Sequence, residues 1–530
     1  MAYNTPLYLL LFLPLVIISY QLSAQKYRWM VLLIASYLFF YSFSGKLVLV
    51  LIGTTVFIHY IGILLMHLQE KRNLALSQAN QDEKHAIKEA FQRRERFVLA
   101  GGVLTLVAVL GYLKYSNFFF TNVNILMTSL GWQSDGFSIE KIILPIGISF
   151  YTLQAISYII DVYWRKIPAQ QHLGKLALYL AFFPQIMEGP ISMFHQTGDQ
   201  LFSGSSIRKE NLRLGILRIF WGLFKKIIIA DRLNVLVGNV FDNHHQYSGA
   251  IVVIAAIAYT IQLYMEFSGC MDIVIGSGKI FGIDLPENFR QPFASKNAAE
   301  FWRRWHITLG IWLKTYIFFT VSTSQIVKKW NRFGRKHLSK YVTRLGVTAI
   351  SLFPVWLING IWHGANWNYI FFGMYYFVIL LLSAAFDPVR ERIVVLFHIN
   401  DKASYWQLVQ MVKTWIIIVV GELFFRAQGL KAGIEMFASI FQKPMINKLF
   451  DGSLFQLGLD IGDFQAVVFG VGIVALIGYL RERNMISNDT LVKMPIISRS
   501  ILYSFLILSI VIFGAYGYGY QQVDLIYAGF

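Results

Sequence analysis

The sequence predicts an all-α membrane protein that crosses the bilayer many times. Of its 530 residues, 56% are hydrophobic and only 14% are charged, and the mean hydropathy is +0.52. A soluble domain carries about 25% charged residues, so a soluble core this apolar would leave large apolar patches in water. Uncharged runs long enough to span the hydrocarbon recur along the chain. The hydrophobicity and the single cysteine, Cys270, exclude disordered and disulfide-rich secreted classes.

The uncharged runs predict the spans in order. Residues 1–25 carry no charge, and the first basic residues follow this run, so a retained first helix is favoured over a signal peptide. The run 345–386 is long enough for two spans joined near Trp362–Asn368. The remaining runs are 29–45, 47–69, 97–113, 142–160, 249–265, 464–480 and 500–523, with weaker, charge-containing candidates at 214–237 and 405–425. Together they predict about eleven or twelve crossings.

One apolar segment is too interrupted to cross the bilayer. Residues 176–195 contain Pro184, Gly189 and Pro190 as well as a glutamate. Non-helical backbone at membrane depth is tolerated only where protein or a water-filled cavity surrounds it. The sequence therefore predicts a re-entrant segment here.

The basic residues predict the orientation. The net charge is +18, and the window 296–344 alone holds eleven Lys and Arg residues against one acid, Glu300. The loop 70–96 is also rich in basic residues. Positive loops stay in the cytoplasm, so both segments are predicted there. A second interpretation of 296–344 stays open, namely docking of an anionic cytoplasmic ligand. Nucleic-acid binding is not predicted, because topology explains the charge.

Two histidines stand out from the other nine. His363 lies in the forty-two-residue uncharged run 345–386. An ionisable group at membrane depth is costly, so its presence there indicates a functional site. A neutral, hydrogen-bonded core histidine is the alternative. His306 follows alternating aromatic and arginine residues, which an interfacial belt also explains. The topology predicts His306 at the inner face and His363 about one span away. Asn359, four residues before His363, is expected to orient its ring.

Other chemistries lack their motifs. No cluster of His, Cys, Asp and Glu has metal-ligand spacing, no phosphate-binding glycine loop occurs, and no nucleophile elbow is present. No metal or bound cofactor is therefore predicted. A transporter or channel with a central histidine remains the alternative to an enzyme, although no inverted repeat is visible.

Seven segments, in this order, resemble the membrane-bound O-acyltransferase (MBOAT) family. They resemble most its bacterial branch, which includes the alginate O-acetylation membrane subunit and the teichoic acid D-alanyl transfer protein. The segments are LPIGISFY at 144–151, EGPI at 188–191, QLYMEFSGCMD at 262–272, LPENF at 285–289, EFWRRWHITL at 300–309, WHGA at 362–365 and FFRA at 424–427. The branch usually has aspartate at the position of Glu266 and a different sequence after His306, which leaves the donor open.

The resemblance implies a fold and a set of site residues. It implies one membrane domain over 1–530, with N-terminal helices in 1–140, a catalytic core in 141–430 and C-terminal helices in 431–530 around a central passage. His363 and His306 take the catalytic positions, and Tyr527 is a candidate acyl relay, with a terminal interfacial tyrosine as the alternative. Residues expected to bind substrate or shape the site are Asn359, Trp362, Gly364, Asn366, Trp302, Arg303, Arg304, Trp305 and Glu266.

The resemblance also implies a reaction. An acyl group, expected to be acetyl, would pass from a cytoplasmic thioester, either acyl-CoA or a phosphopantetheinyl carrier protein, to a hydroxyl outside the bacterial cytoplasmic membrane. The acceptor would be a polysaccharide or a separate extracytoplasmic acyltransferase. D-alanyl transfer from a carrier protein to teichoic acid is the alternative.

Overall fold

The computed structural model describes residues 1–132 and 147–516, and within these ranges the regular secondary structure consists of helices. The only β-type pairing among these residues is an isolated antiparallel bridge between Phe289 and Trp305. The predicted all-α class is confirmed. The start of the LPIGISFY segment and Tyr527 lie outside the described residues.

The described chain divides into two compact units. The first comprises Met1–Ile216 and Val274–Pro286, and the second comprises Leu217–Ile273 and the residues from Glu287 onward. Two of the boundaries between the units fall within helices, namely α8 (Lys209–Leu223) and α10 (Ala250–Ile280).

The first unit is built on long N-terminal helices and an aromatic cluster. Its helices are α1 (Leu13–Leu22), α2 (Arg28–Ser44), α3 (Val48–Gln78), α4 (Glu83–Ser129), α5 (Ile148–Tyr163), α6 (Leu173–Ala181) and α7 (Phe194–Ser203). The rings of Tyr3, Tyr8 and Phe39 pack within 5.6 Å of one another, centroid to centroid. Such aromatic pairs supply large buried areas to a core.

The second unit holds the two singled-out histidines. α8 continues through a π-helical turn, Phe224–Ala230, into α9. The other helices are α9 (Asp231–Asp242), α11 (Ala298–Arg304), α12 (Ile307–Leu313), α13 (Phe319–Ser322), α14 (Gln325–His337), α15 (Lys340–His363), α16 (Trp367–Leu396), α17 (Ser404–Arg426), α18 (Leu430–Gln442), α19 (Ile461–Glu482), α20 (Asn488–Lys493) and α21 (Ile496–Phe513).

Eight helical stretches in the described ranges are long and apolar enough to cross a membrane. The first, Gln25–Gln78, contains α2 and α3, which separate at Gly45, where φ is +52°. The others are α4, α10, α15, α16, α17, α19 and α21. The predicted pair of spans in 345–386 is confirmed as α15 and α16, joined by residues 364–366. The predicted first span is shorter than expected, since Leu7–Leu22 is a helix of only 16 residues.

The prediction of a loop at 70–96 is wrong, because most of this segment is helical. α3 runs on to Gln78 and α4 begins at Glu83, so only residues 79–82 connect them. The charged residues of this segment lie on helices that continue past their apolar parts. Glu95 pairs with Arg72 at 3.4 Å across the two helices, which stabilises the hairpin beyond the apolar stretch.

The broken segment 176–195 is buried, as a re-entrant segment requires. α6 ends at Ala181, and residues 181–193 are all buried although they are not helical beyond that point. Buried backbone needs hydrogen-bond partners, and the Tyr179 hydroxyl donates to the Ser192 carbonyl at 2.8 Å. Gly189 is required, because a Cβ there would lie 2.2 Å from the Cα of Gln185.

Candidate active site

His306 lies at a sharp junction between two short helices. α11 ends at Arg304 and α12 begins at Ile307, and His306 adopts a left-handed backbone with φ +46°. The extended segment 288–290 holds the junction in place by two backbone hydrogen bonds. The Ile307 N–H donates to the Asn288 carbonyl at 3.0 Å, and the Arg290 N–H donates to the Arg304 carbonyl at 2.9 Å. A non-glycine residue in this backbone region is costly and persists only when its surroundings hold it.

The Asn288 side chain determines the tautomer of His306. Its Oδ1 accepts hydrogen bonds from the backbone N–H and the hydroxyl of Thr308, at 3.1 and 2.9 Å. The same oxygen lies 3.2 Å from Nδ1 of His306. Because the Thr308 N–H can only donate, the atom facing His306 is an acceptor, and Nδ1 must carry the proton. In the neutral ring, Nε2 is then the nitrogen that acts as a hydrogen-bond acceptor.

His306 is buried, with 2% of its surface exposed. The ring of Phe267 packs edge-on against it at 5.0 Å. Burial lowers the pKa of His306 to about 3, because the apolar surroundings disfavour the charged imidazolium. The ring is therefore neutral at pH 7.

His363 is the last residue of α15 and lies in an aromatic enclosure. It is 5% exposed, and the rings of Trp362, Phe372 and Phe425 lie 5.1, 5.7 and 5.0 Å from its own. α15 has 24 residues, which is about 36 Å of helix. His363 thus sits at the end of this span opposite to Lys340 and the basic helix α14.

Glycines bring α16 close to the end of α15. A Cβ on Gly360 would lie 2.5 Å from the Tyr369 carbonyl oxygen, and one on Gly364 would lie 2.4 Å from the Tyr369 ring. The absence of a side chain thus lets the backbone of Tyr369 approach Gly360 and its ring approach Gly364. Asn368 completes the arrangement, because its buried Nδ2 donates to the carbonyls of Phe425 and Ala427, both at 3.1 Å. This ties the FFRA segment to the loop after His363.

The two histidines are linked through one tryptophan rather than being one span apart. The His306 ring lies 5.7 Å from the ring of Trp362, which itself precedes and contacts His363. These two ring contacts limit the separation of the imidazoles to about 11 Å, well below the roughly 30 Å of a span, so the predicted separation is wrong. The structure thus brings the catalytic candidates to one aromatic cluster.

A small polar cavity of about 60 Å³ lies next to the His306 junction. Its walls include Asn288, whose side chain holds His306, together with Arg218, Lys225, Asp272 and Arg481. Arg218 pairs with Asp272 at 2.8 Å, and Lys225 pairs with the same carboxylate at 2.6 Å. Buried charges of this kind are paired. The cavity therefore places a set of paired charges beside Asn288, the residue that holds His306.

The other predicted site residues fall into two groups. Trp302 and Trp305 are part of the aromatic packing: Trp302 lies 4.8 Å from the Tyr376 ring, and Trp305 lies 5.0 Å from the Phe289 ring. Asn359 is buried, and its Oδ1 has no hydrogen-bond partner among the described residues. This oxygen therefore does not orient the His363 ring as expected.

The remaining predicted residues do not face the histidines through any described contact. Arg303 and Asn366 are exposed. Arg304 is occupied by Glu300 and Glu482, at 2.9 and 2.8 Å, and Glu266 pairs with Lys226 at 3.3 Å.

Sequence reasoning missed two asparagines. Asn288 stands in the LPENF segment and Asn368 follows the WHGANW sequence. Asn368 precedes an apolar stretch, which is an available signal, whereas Asn288 lies beside Glu287 in a polar stretch and gives no such signal. Their partners, however, come from distant parts of the chain.

Comparison with known proteins agrees with the segments found in the sequence. The sequence profile of "MBOAT, membrane-bound O-acyltransferase family" matches residues 169–425. A probable alginate O-acetylase of Pseudomonas syringae pv. tomato, AlgI, is 34% identical over 83% of this chain and 75% of its own length. The peptidoglycan O-acetyltransferase of Helicobacter pylori is 30% identical over 82% of this chain and 79% of its own.

A further relative, the teichoic acid D-alanyltransferase of Bacillus subtilis, is 29% identical over 48% of this chain and 62% of its own length. The transporter alternative has no support among these relatives, which are transferases by name. This multi-pass membrane protein is an acyltransferase, and the chain belongs to the membrane-bound O-acyltransferase family.

Proposed function

We propose that the protein transfers an acetyl group from a cytoplasmic thioester to a hydroxyl on the outer side of a bacterial cytoplasmic membrane. The acceptor is a polysaccharide, or a separate extracytoplasmic acyltransferase that passes the group on. The observation that carries the proposal is that His363 and His306 both contact the Trp362 ring in one buried cluster, where Asn288 determines the tautomer of His306.

The choice of acetyl over D-alanyl rests on how far the relatives match. The two relatives named for O-acetylation cover 83% and 82% of this chain, whereas the D-alanyltransferase covers 48%. A shared catalytic core with different flanking helices accounts for that difference. Acetyl transfer is therefore the first hypothesis, and D-alanyl transfer is the outcome that the experiment below must separate from it.

A basic surface on α14 supports an anionic donor. Trp330 of this helix donates its indole N–H to the Thr343 carbonyl of α15 at 3.0 Å, which anchors the helix on one side. The opposite side is exposed and carries five basic residues, Lys328, Lys329, Arg332, Arg335 and Lys336. Coenzyme A and phosphopantetheinyl carrier proteins are both anionic, so this surface suits either one.

The chemistry assigned to His363 is general base and then general acid catalysis. Its imidazole takes the proton of the acceptor hydroxyl while that oxygen attacks the thioester carbonyl carbon. The C–S bond breaks, the new ester remains on the acceptor, and the imidazolium returns the proton to the leaving thiolate. Atoms and electrons balance without any oxidant or reductant.

His306 is assigned a positioning role. A pKa of about 3 makes its ring a poor base near pH 7. Because Asn288 holds Nδ1 at 3.2 Å, Nε2 is oriented to accept a hydrogen bond from the acyl donor or from the acceptor hydroxyl. His306 then contributes by orienting the reacting groups, which lowers the entropic cost of reaching a reactive geometry.

The test uses inside-out membrane vesicles containing the full chain. Vesicles receive either acetyl-CoA labelled in the acetyl group or a D-alanyl carrier-protein thioester labelled in the alanyl group. The proposal expects labelled ester on the lumenal side and stoichiometric free thiol outside, with acetyl-CoA only. Label transferred from the carrier protein and not from acetyl-CoA would replace acetyl by D-alanyl, and no transfer from either would refute the proposed reaction.

A further inference from the structure

Three potential metal ligands converge on the surface of the second unit. His244 and His245 lie in a short 3-10 turn after α9, and Glu435 lies on α18. Nε2 of His244 is 3.5 Å from the Glu435 carboxylate, and Nδ1 of His245 is 3.9 Å from it. The sequence gives no sign of this cluster, because the glutamate comes from a distant helix.

From this geometry we propose that His244, His245 and Glu435 bind a divalent transition-metal ion of the Zn²⁺ type. Two imidazole nitrogens and a carboxylate oxygen are a common ligand set for zinc. With metal–ligand bonds of about 2.0–2.1 Å, tetrahedral ligands lie about 3.3–3.4 Å apart. The three ligand atoms here all lie within 4.8 Å of one another. A small rotation of the histidine side chains closes the difference.

The environment leaves one coordination position open. His244 is 11% exposed at its side chain, Glu435 is 42% exposed and His245 is 78% exposed. Such a site is anchored on one side by the protein and faces solvent on the other. Three protein ligands with an open fourth position take water or an oxygen ligand, such as a carboxylate.

A simple ion pair explains the cluster less well. The centroids of the two imidazole rings lie 3.8 Å apart with the rings tilted by 42°, so protonating both places two positive charges side by side. Glu435 is also shared with Lys431, whose Nζ lies 3.8 Å away. One divalent ion satisfies both nitrogens and the carboxylate together. Lys431 is 93% exposed and is free to turn into solvent.

The position of the cluster gives the site a context. Glu435 lines a shallow groove together with Asn366, Trp367 and Ile434. Asn366 and Trp367 follow directly after the His363 loop. A metal here would stand on the same surface as the start of α16, where its open position could hold an oxygen ligand beside the loop of the catalytic histidine.

The experiment is a metal titration of the intact, tag-free protein in detergent. The protein is stripped with chelator, desalted and titrated with Zn²⁺ in competition with a chromophoric chelator, and Co²⁺ reports tetrahedral coordination by its visible spectrum. The variants are His245→Ala and Glu435→Gln. The control is His85→Ala, because His85 faces Glu89 at 3.9 Å on an exposed helix without a third ligand.

The proposal expects about one Zn²⁺ per chain and a loss of about tenfold or more in affinity for either variant. The control should bind as the unmodified protein does. Equal binding by the unmodified protein and by both His245→Ala and Glu435→Gln, or no saturable Zn²⁺ binding at all, would overturn the proposal. The titration needs no acyl donor, so its result is independent of the proposed reaction.

Discussion

Replacing Asn288 by alanine removes the oxygen that orients the His306 ring. Three hydrogen bonds are lost, at 2.9, 3.1 and 3.2 Å. A neutral hydrogen bond contributes about 0.5–1.5 kcal/mol, and a buried donor left without an acceptor costs about 1–3 kcal/mol. We expect Asn288→Ala to lower the free energy of unfolding by about 2–5 kcal/mol, because Thr308 loses its acceptor as well.

The effect on turnover follows from the single bond to the imidazole. If about 0.5–1.5 kcal/mol favours the productive tautomer, its loss lowers the ratio of that tautomer to the other about 2- to 13-fold. We therefore expect acyl transfer per folded molecule to drop several-fold. The assay is thiol release from acetyl-CoA by monodisperse protein, measured below the melting temperature of the variant.

Two further variants separate orientation from stability. Asn288→Asp keeps an acceptor oxygen, so it should restore most of the activity. Asn297 caps α11 by accepting from the Glu300 N–H at 2.8 Å, and Asn297→Ala should cost about 0.5–2 kcal/mol of stability with turnover within about twofold of the original. A drop of less than twofold for Asn288→Ala would refute the reasoning about the tautomer.

Three other predictions concern the donor surface, the helix packing and the pH response. Lys328→Glu with Lys329→Glu should raise the KM for the anionic donor several-fold at low salt, with the difference shrinking at high salt; a salt-independent KM would contradict a docking role. Gly360→Ala should destabilise the protein by about 1–3 kcal/mol because its Cβ would meet a carbonyl at 2.5 Å, while Gly472→Ala, with nothing within 4 Å, should not. The pKa of His306 is about 3 in the folded protein against an ordinary value of 6.5, so as the pH falls the unfolded chain takes up this proton first. The free energy of unfolding should therefore fall as the pH drops below 6.5, by up to about 1.4 kcal/mol per pH unit. His306→Gln should flatten this part of the profile of melting temperature against pH, and an unchanged slope would contradict the burial argument.

The sequence predicts the helices well where apolar length decides them. The run 345–386 yields α15 and α16 with their tight connection, because uncharged stretches of this length are stable only as buried helices. The segment 70–96 was mistaken for a loop, since hydropathy does not register charged helices outside the apolar layer. There the helices continue to Gln78 and from Glu83.

The site is predictable in its residues and not in its geometry. His306 and His363 stand out by position, yet their closeness depends on a left-handed turn at His306 and on Asn288, fifteen or more residues upstream. The grouping of His244 and His245 with Glu435 depends likewise on where α18 packs. Long-range contacts of this kind carry no local pattern.

The central claim is that His363 moves the proton during acyl transfer. The most direct measurement is a single-turnover assay with labelled acetyl-CoA on His363→Ala, with His398→Ala, an exposed histidine beyond α16, as the control. We expect ester formation to fall about 10²- to 10⁴-fold in His363→Ala, at unchanged expression and melting temperature, and to persist in the control. Ester formation in His363→Ala above about a tenth of the original rate would contradict the account.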